Sequence, residues 1–210
     1  IWYNNFFEYQ THAIIPYSEN LKSFGKYLQQ ASMESNGKHT DRSGDLIEYQ
    51  SGEIIWGQTG TNAQHSFFQL FHQGTKIIPS DFIGFCESIM GNKNHHDILM
   101  SNFFAQTKAL MLGTRGENID SNHKVFKGNR PTNTILIDKL TPSSLGSLIS
   151  MYEHKIFTQG VIWNVISFDQ FGVELGKKIA KNILKDLEDR DFNDHDSSTK
   201  NLLNKYSSTD

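Results

Sequence analysis

Short apolar runs of strand length alternate along this chain with longer stretches of helical periodicity, and that alternation leaves few folds open. Glu53-Ile-Ile-Trp-Gly57, Lys76-Ile-Ile-Pro-Ser-Asp-Phe-Ile-Gly84, Thr134-Ile-Leu-Ile-Asp138 and Val161-Ile-Trp-Asn-Val-Ile166 read as four β-like runs. Pro79 marks an edge or an end of the second. Between them lie helices. One starts at a Ser18 cap, carries Leu21, Phe24 and Leu28 on a stripe, and stops near Asn36-Gly37. A second covers 62–73 with Phe67, Phe68, Leu70 and Phe71, and Gly74 closes it. A third runs over 95–112 with Ile98, Leu99, Phe103 and Leu110. A fourth opens at Thr141-Pro142, a cap followed by proline at the first helical position, and continues through Leu145, Leu148 and Met151. A fifth occupies about 170–188. The polar stretch 113–132 reads as loop, and the Ser/Asp/Asn-rich tail has room for a last short helix at 199–206. The pattern predicts an α/β layered domain with a mostly parallel sheet. Sites in such sheets lie outside the carboxyl ends of the strands.

Bulk properties remove several functional classes. The 210 residues carry a net charge of −3, which gives no electrostatic case for nucleic acid as a main partner. Cys86 is the sole cysteine, so an internal disulfide and a CxxC metal site are excluded, in keeping with a reducing, cytoplasmic setting. No apolar run approaches 18 residues, so no membrane span is expected. No secretory signal is visible in Ile1-Trp-Tyr-Asn-Asn-Phe6, which has neither a basic start nor an apolar core.

A handful of polar residues stand out against this pattern. On the last long helix, counting 100° per residue, Val173, Gly176, Ala180, Ile183, Leu184 and Leu187 form one face, and Lys177 falls at its edge. Gln170 lies two turns earlier, near the helix N-terminus, where anions bind well. On periodicity alone, a lysine snorkelling from the edge of a core stripe is the plainer reading of Lys177. Gln30 and Glu34 are spaced i, i+4 and share a helix face. Glu34 falls in the last turn, where the helix dipole opposes a negative charge, a setting a general base can use; a solvated glutamate at a frayed end is the plainer reading. His65 follows a Gly57/Gly60 loop and is expected near a helix start, available for proton transfer or merely as a structural histidine. His95-His96-Asp97 invites a metal reading, but no third ligand is placed by spacing, which favours a solvated helix turn. Gly57-Gln-Thr-Gly60 lacks the third glycine of a dinucleotide fingerprint.

Six longer segments carry a more specific signal: Gln29-Gln-Ala-Ser-Met-Glu-Ser-Asn-Gly-Lys38, Gly60-Thr-Asn-Ala-Gln-His65, His72-Gln-Gly-Thr-Lys76, Lys124-Val-Phe-Lys-Gly-Asn-Arg-Pro-Thr-Asn133, Tyr152-Glu-His-Lys-Ile-Phe-Thr-Gln-Gly-Val-Ile162 and Phe168-Asp-Gln-Phe-Gly-Val-Glu-Leu-Gly-Lys177. Together they resemble the phosphoglucose isomerase family from the first residues to about Tyr206. The resemblance implies a three-layer α/β sandwich of the sugar-isomerase (SIS) type with a mostly parallel sheet and a C-terminal helical extension. It places most of the second SIS domain at 1–188 and the polar, helical tail at 189–210. The N-terminal part of the family's architecture has no counterpart here, including its phosphate-cradling loop and an arginine that would stabilise an enediolate.

The resemblance also implies an activity: interconversion of glucose 6-phosphate and fructose 6-phosphate through a cis-enediol, with no metal or organic cofactor. By the match, Glu34 corresponds to the carboxylate that moves a proton between C2 and C1. His65 corresponds to a group that assists ring opening, contributed to the neighbouring subunit's site in a homodimer. Lys177 corresponds to its partner in ring opening and substrate contact, and Gln30 and Gln170 line the substrate, Gln170 nearer the phosphate. Gln58-Thr59 stands where Glu-Pro is frequent, a loop variation beside the site rather than loss of the base, and Lys127 and Phe171 replace a common Glu and Trp, from which little effect on the chemistry is expected. As an isolated segment the chain is expected to be inactive. A non-catalytic sugar-phosphate-binding SIS module is the alternative, although a pure binder has no need of Glu34, His65 and Lys177 together.

Overall fold

The protein is described by a computed structural model covering residues 1–114 and 121–208. The expected loop at 113–132 therefore has its middle, 115–120, outside the described residues, as are the last two residues of the tail. Four strands, β1 (Thr11–Pro16), β2 (Ile54–Gly57), β3 (Ser80–Glu87) and β4 (Thr132–Lys139), form one sheet in the order β2-β1-β3-β4. Every pairing is parallel. Helices cover both faces. On one side lie α2 (Gly60–Ser66), α3 (Phe68–Gln73) and α4 (Lys93–Leu112); on the other lie α1 (Phe24–Leu28), extended by a π-helical turn over Gln29–Glu34, and α5 (Pro142–Ile162). The expected three-layer α/β architecture is present.

Strand alternation sorts the core between these faces. Ala13, Ile15, Tyr17 and Phe82 meet Ala63, Phe68, Phe71, Met100, Phe103 and Leu110 on the α2–α4 side. Ile14, Ile55, Ile83 and Phe85 meet Leu21, Phe24, Leu28, Leu148 and Tyr152 on the other. The interior strand β3 is apolar on both faces because both are covered, which is why it reads as a continuous apolar run rather than an alternating one, whereas the edge strand β4 leaves Leu136 exposed. Gly57 ends β2 at φ +146°, and a Cβ there would lie 2.0 Å from the Ile14 carbonyl oxygen, so only glycine lets β2 end against β1.

Several sequence expectations shift. Strand β1, central in the sheet, is not among the expected runs. The expected strand at 161–166 does not exist: α5 runs through Ile162, and Val165 is buried from a turn in which its amide bonds the Gly160 carbonyl. The helix expected at 62–73 is two helices broken at Phe67, and it starts earlier, at Gly60. Pro79 sits immediately before β3, an interior strand, so it marks the strand's start rather than a sheet edge. The single helix expected from Ser18 is a 3₁₀ turn (Glu19–Leu21), α1, and the π-helical turn; its Leu21, Phe24 and Leu28 stripe nonetheless faces the core. At Thr141 the expected cap is a full capping box with Ser144, with proline inside the first turn.

The described residues divide into two compact units, Ile1–Asp169 and Gln170–Asp210. The second contains a 3₁₀ turn (Phe171–Val173), α6 (Glu174–Asp189) and α7 (Ser197–Ser207). Asp196 caps α7, accepting from the Ser198 and Thr199 amides, and His195 Nε2 lies 3.0 Å from Asp186 Oδ2.

Candidate functional site

The π-helical turn carries two of the expected site residues. Its hydrogen bonds span i→i+5, a local form found disproportionately at functional sites. Gln30 is exposed on it and Glu34, at its end, is partly buried. The turn is fixed from three directions. Gln29 Nε2 donates to the Ile55 carbonyl of β2 at 3.0 Å. Asn36, fully buried, donates through Nδ2 to the Ile156 carbonyl of α5 at 3.0 Å and accepts from Ser167 Oγ at 2.7 Å. Lys38 Nζ folds back onto the helix end and donates to the carbonyls of Ser35, at 2.8 Å, and Glu34. Burial lowers the Lys38 pKa, opposed by the charges of Asp169 and Glu34. Gly160 is what allows α5 to come this close: a Cβ there would stand 1.8 Å from Ser167 Oγ and 2.9 Å from Asn36 Oδ1.

His65 lies elsewhere in the layering. It is exposed in the last turn of α2, not at a helix start as the glycine-rich loop suggested, because α2 already begins at Gly60. α2 packs on β1, α3 and α4, whereas the Glu34 turn packs on α1, β2 and α5, so the two residues belong to layers on opposite faces of the sheet. Gln170 and Lys177 belong to the second unit. Lys177 is 63% exposed and pairs with Glu174 at 2.9 Å, one turn earlier, so it is a solvated ion pair rather than a lysine at the edge of a buried face. His95-His96-Asp97 forms the first turn of α4: Asn92 caps the His95 amide, His96 Nε2 lies 2.9 Å from the Phe85 carbonyl oxygen, and Asp97 pairs with Lys93. Among the described residues no group of His, Cys, Asp or Glu is arranged to hold a metal ion.

A second polar constellation, which the sequence pattern did not single out, sits at the amino ends of the strands on the α5 side. His12 is the hub. Its Nε2 lies 3.1 Å from Asp81 Oδ1 and its Nδ1 lies 3.4 Å from Glu53 Oε1. Lys155 Nζ shares that Glu53 oxygen. Gln159 donates to Glu53 Oε2 at 3.1 Å, Tyr152 donates its hydroxyl to Asp81 Oδ2 at 2.8 Å, and Asn133 donates to Asp81 Oδ1 at 2.8 Å. Burial pushes the His12 pKa down, but the bonds to Asp81 and Glu53 outweigh it and raise it above the usual histidine value. Burial would raise both carboxyls; His12 reverses this for Asp81, and His12 with Lys155 reverses it for Glu53, so both titrate below the usual carboxylate values. The cluster borders a cavity of about 150 Å³ that the buried residues Asn4, Ser80 and Gln159 also line.

The parallel layering is the sugar-isomerase type. A crystal structure of a glucose-6-phosphate isomerase from Chlamydia trachomatis matches it with a TM-score of 0.84 at 39% identity, over 100% of this chain and 40% of that one. A crystal structure of a hypothetical protein from Thermus thermophilus is alike in fold, with a TM-score of 0.62 at 23% identity over 84% of this chain and 42% of that one. The chain belongs to the phosphoglucose isomerase family, whose model matches residues 1–203. Curated relatives named glucose-6-phosphate isomerase include those of Christiangramia forsetii, 55% identical over 99% of this chain, and Gloeobacter violaceus, 56% identical over 98%. The chain spans 41% and 39% of the length of these two relatives. No helix among the described residues is long and apolar enough to cross a membrane.

Proposed function

We propose that this chain is the C-terminal portion of a cytoplasmic aldose–ketose isomerase that interconverts glucose 6-phosphate and fructose 6-phosphate through a cis-enediol. The observation that carries the proposal is identity of 52–56% to three relatives bearing the name glucose-6-phosphate isomerase, over 98–99% of the chain. Glu34 takes the proton from C2 of the open-chain aldose and returns it to C1, while O1 gains a proton and O2 loses one. A base serving both carbons needs a fixed position, and the anchored end of the π-helical turn supplies one. His65 and Lys177 open the sugar ring, and Gln30 and Gln170 line the substrate. His65 acts in the site of the neighbouring subunit of a homodimer, a reading favoured by its place on the face of the sheet away from Glu34. No cofactor is needed. The isolated segment is inactive, since the phosphate-binding loop and the enediolate-stabilising arginine lie elsewhere in the complete protein.

The test is Glu34→Gln in the full-length protein. Loss of a general base costs about 100-fold or more in turnover, whereas fructose 6-phosphate binding should persist. Turnover within about tenfold of wild type would remove Glu34 as the base. Binding by the wild-type protein without isomerisation would turn the assignment toward a non-catalytic sugar-phosphate module.

A further inference from the structure

We propose that Lys38 is a positioning residue for Glu34: its ammonium, bound to the carbonyls that end the Glu34 helix, fixes the turn that presents the Glu34 carboxylate. The inference rests on the reading of Glu34 as the base. Nζ donates to the carbonyl oxygens of Glu34 and Ser35, the latter at 2.8 Å. The Lys38 backbone is clamped as well. Its amide donates to Ser51 Oγ at 3.3 Å, and the same hydroxyl donates to the Lys38 carbonyl. The stem of the side chain therefore has little freedom, and its charge is delivered to one place.

The neighbouring charged groups do not share this role. Glu53, just before β2, is engaged by His12 and Lys155; on α5, Glu153 accepts from the Tyr27 hydroxyl at 2.7 Å; on α1, Lys26 is exposed. A lysine that only decorated the surface could be removed without effect on the turn. One that ties two successive carbonyls of the turn carrying the base could not, because a base serving two carbons depends on a fixed position.

Lys38→Met in the full-length protein keeps a long side chain but removes both bonds to the turn; Lys38→Ala is measured alongside, so that a folding failure of one variant leaves the test intact. The expected result for either is a fall in kcat of about tenfold or more with a KM for fructose 6-phosphate within about threefold of wild type. Lys38→Arg, which keeps a long donor, should restore kcat to within about threefold of wild type. Folded Lys38→Met or Lys38→Ala with wild-type kcat, whatever its thermal stability, would overturn the inference. Glu34→Gln in the same assay separates the two failures. If it abolishes turnover while Lys38→Met is silent, only the role of Lys38 falls. If it leaves turnover intact, the assignment of the base falls and takes this inference with it.

Discussion

His12 and Asp81 meet at 3.1 Å, Nε2 to Oδ1, at the amino ends of adjacent strands β1 and β3, with both side chains almost wholly buried. The other ring nitrogen reaches Glu53, just before β2, so one imidazole ties together three strand starts. Removing one member of a buried charged set leaves the others desolvated without compensation, at a cost of about 3–5 kcal/mol. His12→Gln should therefore destabilise the full-length protein by that amount in equilibrium denaturation, with the denaturant slope unchanged. A cost below about 1 kcal/mol would mean that Lys155, Asn133 and Tyr152 satisfy both carboxylates without the imidazole.

The same cluster sets a pH window. The folded pKa of His12 is raised above its ordinary value of 6.5, so its contribution is complete below that pH and is lost as pH rises through the folded value. Glu53 and Asp81 are lowered from 4.5 and 3.8, so theirs is present above those values and is lost as pH falls through the folded ones. The stabilisation that wild type holds over His12→Gln should be greatest between about pH 4.5 and 6.5 and shrink at alkaline pH. Unfolding free energies of both proteins from pH 4 to 10 would show it. A difference that grows with pH would mean the ring is neutral in the fold.

Gly160 and Ser167 form a contact that tolerates no added carbon. A Cβ on Gly160 would stand 1.8 Å from Ser167 Oγ, the hydroxyl that donates to Asn36. Gly160→Ala should cost about 1–3 kcal/mol through overpacking and should lower turnover, because the same bond anchors the turn carrying Glu34. Adding Ser167→Ala removes the clashing oxygen, so the double variant should be less destabilised than the sum of the two singles. Strict additivity in thermal unfolding would place the strain elsewhere.

The fold was legible where periodicity and caps agree. Thr141-Pro142 and the Leu145/Leu148 stripe announce α5, and Ile135 and Ile137 announce β4, because those residues obey local rules that packing does not override. β1 was hidden by its composition: Thr11-His-Ala-Ile-Ile-Pro16 has a histidine near one end and a proline at the other, and the proline argues against an interior strand. Val161–Ile166 misled in the opposite sense, since a buried helix end followed by a buried turn shows the same short apolar run as a strand. The His12 cluster left a signal that went unused. His12, Glu53 and Asp81 are each a polar residue at the head of an apolar run, and a charge there must find a partner on folding. No local rule says which partner, because the three meet only through the order β2-β1-β3. The Glu34 turn was readable as a helix end, but its π-helical form follows from anchoring to β2 and α5, which sequence spacing does not reveal.

The placement of His65 and Glu34 in opposite layers of the sheet makes the last prediction sharp. If each site takes Glu34 from one subunit and His65 from the other, a dimer of one His65→Ala chain and one Glu34→Gln chain has one site with both groups intact and one with both lost. Each variant alone is inactive in both sites. Random reassociation of equal amounts makes half the dimers hybrid, each with one working site in two, so about a quarter of wild-type activity should return on mixing. The check is to dissociate the two full-length variants, mix them, reassociate, and assay with each variant treated alone as a control. Activity that stays at the level of the separate variants, with hybrid dimers verified by mass, would place His65 and Glu34 in the same subunit's site. It would also require His65 to reach Glu34 around the edge of its own sheet rather than across a subunit boundary.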